Sequence, residues 1–107
     1  MRYEAVRIMC IFDLPVTTKN EQRAYRKFRK FLIQNGFEML QYSVYIRTCP
    51  NRSFANKFYF RIKHNAPRKG DIWLLTITEK QYEDMVHVVC ANKEKKKILG
   101  AENLVVI

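Results

Sequence analysis

The run from Val6 to Phe12 leaves little choice of structure. Val6, Ile8, Cys10 and Phe12 fall on one side of a strand, and Met9, Ile11 and Asp13 on the other. Both sides are mainly apolar, as in a strand covered on both faces. Pro15 stops it, so the apolar run ends in a carboxylate, Asp13. Any fold must therefore supply a layer for each face, and must explain a charge at the strand end.

The residues that follow supply one layer. Thr18 with Glu21 three residues later makes a capping box, which starts a helix. The helix runs through KNEQRAYRKFRKFLIQN and stops at Gly36, where a left-handed residue suits a helix end. Ala24, Phe28, Phe31 and Leu32, flanked by Tyr25, form its apolar stripe. The segment FEMLQYSVYIRT, from Phe37 to Thr48, alternates and reads as one long second strand. In that reading Leu40, Tyr42, Val44 and Ile46 face one way, and Met39, Gln41, Ser43 and Tyr45 the other. CPNRS is a turn, and Ser53 is placed to cap a second helix whose apolar side is Phe54, Phe58 and Ile62. Pro67 ends that helix, because the residue before a proline avoids the α region. RKGD turns into a third strand, DIWLLTIT, and Thr78 with Gln81 caps one helical turn. MVHVVC reads as a fourth strand, ANKEKKK as a basic linker and NLVVI as a last apolar segment.

The order is β-α-β-β-α-β-β, or β-α-β-α-β-β if the second strand is unbroken. An α+β ferredoxin-like sandwich fits, with two helices on one face of an antiparallel sheet and an extra C-terminal strand. The whole chain, 1–107, reads as one domain, with residues 91–107 as linker and terminal strand. Two features exceed a monomer's needs: the second apolar face of the first two strands, and the sticky tail Leu104, Val105, Val106 and Ile107. Both point to a homodimer packed sheet to sheet, the tail strand pairing with the partner's sheet edge.

Charge narrows the function. Lys and Arg total 20 against 10 acidic residues, a formal net charge of +10. The simplest physical use of that excess is a polyanion, foremost a nucleic acid. No basic amphipathic segment carries a broad insertable apolar face outside the core, and no apolar run approaches the roughly 20 residues that span a bilayer. A membrane partner is not expected, and the evenly charged start MRYEAVR argues for a cytoplasmic protein. Cys10, Cys49 and Cys90 are odd in number and widely spaced, with no CxxC, so reduced buried thiols are expected rather than disulfides or a zinc site.

The basic residues concentrate on the first helix. Arg23, Lys27 and Lys30 share a side with Arg26 beside them, Lys19 lies at its start, and only Glu21 is near enough to pair. A solvated face and a phosphate-contacting face both fit this pattern. Lys57, Arg61, Lys63, Arg68 and Lys69 extend the candidate patch. Asp13 likewise has two readings. It caps the turn before Pro15, or it is a hard oxygen ligand for Mg²⁺ in phosphodiester cleavage. One Asp per chain is a poor metal site, but a two-fold axis would bring two copies of Asp13 together. His87 reads as a packed or interface residue, and His64 as a cation at a helix end. There is no Gly-rich phosphate loop, no serine-nucleophile elbow and no RNA-recognition-motif pattern.

Phe12-Asp13-Leu14-Pro15 after an apolar strand resembles the first motif of the Cas-two family, the small CRISPR-associated proteins of spacer acquisition. So do the helix AYRKFRKFLIQNGF, the block MLQYSVYIR and the segment LLTITEKQY, in the right order over nearly the whole chain. The overall look is similar to members that accompany Cas-nine systems of the II-A type. The resemblance implies a ferredoxin-like homodimer that bridges two Cas-one integrase dimers and supports double-stranded protospacer DNA before integration. It also maps the family's strand-end aspartate onto Asp13, implying Mg²⁺ shared between the two Asp13 residues of a dimer and nuclease activity on RNA or DNA. Phe12 stands where many relatives carry Tyr, which weighs against catalysis if that hydroxyl orients metal or water. A structural DNA-binding subunit is thus expected as the main role, with a nuclease and a non-CRISPR RNA-binding module as the other readings.

Overall fold

A computed structural model describes residues 4–89. The elements are β1 (Val6–Asp13), α1 (Lys19–Gln34), β2 (Glu38–Gln41), β3 (Val44–Cys49), α2 (Arg52–Asn65), β4 (Asp71–Thr78) and α3 (Glu79–Glu83). The four strands form one sheet in the order β2-β3-β1-β4, every neighbour antiparallel. This is the β-α-β-β-α-β arrangement of a ferredoxin-like fold, with α3 appended.

Local chemistry sets the helix ends. Thr18 accepts from the backbone N–H of Glu21, and the Glu21 carboxylate accepts in return from the N–H groups of Thr18 and Thr17. The Thr18 N–H chiefly holds the Glu21 carboxyl below its ordinary value, with the Thr17 N–H and the charge of Lys69 adding to the effect. The contribution is therefore complete at neutral pH and is lost as the pH falls through the folded-state value. Asn35 follows the last turn of α1, and Gly36 adopts φ +85°. Ala66 takes an extended conformation ahead of Pro67, ending α2 as expected. The cap of α2 is Asn51, not Ser53: the Asn51 carboxamide oxygen accepts from the Phe54 N–H at 2.8 Å, and Ser53 lies inside the helix.

The core lies between the helix layer and one sheet face. Val6, Ile8, Cys10 and Phe12 of β1 meet Phe28 and Leu32 of α1 and Ala55, Phe58 and Ile62 of α2. Phe12 makes edge contacts with Tyr25 and Phe28 and stacks at 5.7 Å on Tyr45. Arg47 also belongs to this face, since it pairs with Ile8. Its guanidinium donates to the Asn35 carbonyl and lies 4.1 Å from the Phe58 ring, so one side chain ties the end of α1 to β3 and α2. The thiols of Cys10 and Cys49 are buried and free. Burial pushes Cys10 up to about 12 and raises Cys49, so both stay neutral and unreactive, as the sequence suggests.

Two expected strands are different. The segment from Phe37 to Thr48 is not one strand but the hairpin β2–β3, broken at Tyr42 and Ser43. Gln41 pairs with Val44, so those two share a face that a continuous strand would have separated. MVHVVC is no strand among the described residues, where His87 alone forms a single bridge. Its β-branched residues favour a strand, but no ladder receives them among the described residues. Cys90, the basic linker and the tail Leu104, Val105, Val106 and Ile107 lie outside the described residues.

Candidate functional site

Among the described residues no long helix lies on the second sheet face. By alternation it carries Arg7, Met9, Ile11 and Asp13 of β1, opposite Ile77, Leu75, Trp73 and Asp71 of β4. Trp73 is 69% exposed, Leu75 51% and Ile11 37%. At one end α3 covers part of this face. Arg7 donates to Glu79 at 2.9 Å, and its guanidinium lies 3.8 Å from the ring centre of the buried Tyr82. Burial is the main cause raising the Tyr82 phenol above its usual value, so it stays a neutral surface for that cation. The described residues leave the opposite end uncovered, and Asp13 sits there.

Asp13 is not alone. The end of β1 runs beside the start of β4, and Asp71 is the register partner of Asp13. Directly opposite residues of an antiparallel pair project to the same face, with Cβ atoms about 5 Å apart. Ile11, Asp13, Asp71 and Trp73 together line a shallow cleft. Both carboxylates are exposed, and neither makes a hydrogen bond or ion pair among the described residues. The Asp13 side chain therefore caps no turn here. Like charges directly opposite on a sheet repel, so the pair is a liability unless something cationic lies across it. Sequence reading missed Asp71 because no local spacing links it to Asp13. The one available signal was the RKGD turn opening β4.

Phe12 bears on the same question. Neighbouring strand residues face opposite ways, and Phe12 is buried in the aromatic cluster under α1. A hydroxyl there would point into the helix layer, away from the carboxylates. Phenylalanine at this position therefore takes nothing from the Asp13 side of the sheet.

The basic residues lie on the other side of the molecule. Lys19, Arg23, Arg26, Lys27 and Lys30 are all exposed on α1, and none forms an ion pair among the described residues. Glu21, the one acid near them, is committed to its cap. Lys27 and His64 line a groove where α1 meets the end of α2, so the basic surface continues from one helix to the next. Arg29 differs from its neighbours: its Nε donates to the Tyr45 hydroxyl at 2.7 Å, which raises the guanidinium's already high value. His87 is buried as expected, with Nδ1 unpartnered. Among the described residues no group of three or more His, Cys, Asp or Glu could hold a metal, and no helix is long and apolar enough to cross a membrane.

The chain matches the family described as CRISPR associated protein Cas2 over residues 6–85. It is 47% identical to the "CRISPR-associated endoribonuclease Cas2" of Ligilactobacillus salivarius over 102 residues, which cover 95% of this chain and all of that protein. A protein of the same name from Streptococcus mutans is 47% identical over 83 residues, covering 78% of this chain and 76% of the relative. One from Treponema denticola is 36% identical over 102 residues, covering 95% of this chain and the whole relative.

Proposed function

Because the chain belongs to the CRISPR associated protein Cas2 family, we propose that it is a dimeric nucleic-acid-binding scaffold of CRISPR adaptation. In this reading it bridges Cas-one integrase dimers and holds protospacer DNA for integration. The observation that carries it is the division of the surface. One side offers an open apolar sheet face, suited to a second copy of the chain. The other offers unpaired cations along α1, suited to phosphates. The tail Leu104, Val105, Val106 and Ile107 remains a proposed contact with the partner.

A second reading, phosphodiester cleavage, is favoured by the pairing of Asp13 with Asp71 and by the relatives' name of endoribonuclease. The donor set fits Mg²⁺, which takes hard oxygen ligands and keeps several waters. Asp13 and Asp71 would hold it, and a sheet-to-sheet dimer would offer two such pairs. When bound, the ion supplies charge stabilisation to a phosphodiester and acidifies water. The chain's own part is to fix two carboxylates on paired strands, flanked by Ile11 and Trp73.

The scaffold reading is tested on α1. Replacing Arg23, Lys27 and Lys30 together by Glu should weaken duplex DNA binding and reduce the slope of log affinity against log salt by about 2 to 3. Sedimentation should report the same dimer, and the variant should still assemble with the integrase. An unchanged slope would mean the face is merely solvated.

A further inference from the structure

The turn of the β2–β3 hairpin lies at the same end of the sheet as Asp13. Gln41 pairs with Val44, so Tyr42 and Ser43 are the whole turn. Ser43 adopts φ +65°, and its carbonyl accepts from the Phe12 N–H at 2.9 Å. The hairpin tip is thus bonded to β1 one residue before Asp13. A turn so short and so tied has little freedom, yet Tyr42 is 87% exposed, more than any other large apolar side chain among the described residues. Among the described residues its ring makes no aromatic contact and its hydroxyl no hydrogen bond.

The same hairpin anchors a cation. Arg29 is held on this side of α1 by its bond to Tyr45, three residues beyond Tyr42 on the same hairpin. Arg26 precedes Arg29 by three residues and so flanks it on the helix surface. A tyrosine on a rigid backbone offers a large face at small entropic cost. A base stacks on such a face whatever its identity, and a neighbouring guanidinium engages the backbone phosphate.

We propose that Tyr42 is a stacking platform for an unpaired base, with Arg29 contacting the adjoining phosphate. Paired bases inside a duplex cannot reach the ring, so the ligand is a single-stranded segment of RNA or DNA. Ser43 is bonded to β1, and strands lie about 4.8 Å apart, so Tyr42 is within roughly 10 Å of Asp13 along the sheet. A nucleotide seated there lies at the end of the sheet that carries the Asp13–Asp71 pair. The inference rests on the nucleic-acid reading above and deepens it.

The test is binding of the full chain to labelled oligo(dT) by fluorescence anisotropy, in a chelator so that nothing is cut. A relaxed circular duplex serves as the comparison ligand, since it offers no unpaired base. Tyr42→Ala should weaken oligo(dT) binding about tenfold and leave circular-duplex affinity within about twofold. Tyr42→Phe, which keeps the ring, should match the wild type on both. An unchanged oligo(dT) affinity in Tyr42→Ala overturns the proposal, as does an equal loss on both ligands. A Tyr42→Phe loss as large as that of Tyr42→Ala also overturns it, because the hydroxyl would then be the contact. A wild type that binds neither ligand overturns the nucleic-acid reading as a whole.

Discussion

Replacing Asp71 by asparagine should lower Mg²⁺-dependent cleavage on the order of 100-fold or more while leaving the fold as stable as before, or more so. The same holds for Asp13→Asn. The two effects have one origin. Asp13 and Asp71 are register partners on β1 and β4, and neither has a compensating partner among the described residues. Opposed like charges cost a sheet roughly 0.2–1 kcal/mol, which either substitution relieves. In a domain of this size that relief is a rise of about 1 to 5 °C in the melting midpoint. The carboxylates act as a unit, so the double variant should cleave no more slowly than either single one.

Magnesium supplies an independent readout. Adding it should raise the melting midpoint of the wild type, because a ligand of the folded state alone stabilises it by mass action. Asp13→Asn and Asp71→Asn should lose that response. Wild-type cleavage by Asp71→Asn, with an unchanged response to the ion, would remove Asp71 from the site. If the wild type itself neither cleaves nor responds, the carboxylate pair is not a metal site and the scaffold role stands alone. Assembly with the integrase is expected to be intact in Asp13→Asn, since the scaffold reading gives this carboxylate no part in it.

The features legible in the sequence are those in which a side chain meets nearby backbone. Thr18 with Glu21 and Thr78 with Gln81 form boxes within one turn, and Pro67 acts on the residue before it. The two residue sets of β1 were equally plain, because a period of two needs no partner to be seen, but with both sets apolar their unequal burial was not. The hairpin was hidden for the complementary reason. Its turn, Tyr42-Ser43, contains no glycine, asparagine or aspartate, and Ser43 takes a left-handed conformation that its type does not announce. A two-residue turn also leaves the apolar alternation looking continuous. Asp13 was found as a charge ending an apolar run. Asp71 was not, because its relation to Asp13 exists only through the crossover that brings β4 beside β1. The exposed face of Tyr42 was invisible for the same reason as its turn.

Gly70→Ala should be among the most damaging single substitutions outside the core, and it should reach the carboxylates. Gly70 sits at φ +99°, immediately before Asp71. A Cβ at Gly70 would lie 2.7 Å from the Asp13 carbonyl oxygen, 2.8 Å from Leu14 Cδ2 and 3.1 Å from Leu14 Cα. Two of those atoms are backbone, so no side-chain rotation can make room. The left-handed conformation alone costs a non-glycine residue roughly 1–2 kcal/mol, and the enforced shift between β1 and β4 adds to it. A fall in the melting midpoint of about 10 °C is expected. Gly36→Ala is the control, because it shares the positive φ but its Cβ would meet only the Arg47 side chain, at 3.4 Å. Its loss should be clearly smaller. Equal losses would mean that conformation, not contact with Asp13, decides. Where Gly70→Ala still folds, the ends of β1 and β4 must part, so Asp13 and Asp71 separate. The variant should then lose the Mg²⁺-induced rise in midpoint with both carboxylates still present, which would show that their spacing, and not their number, makes the site.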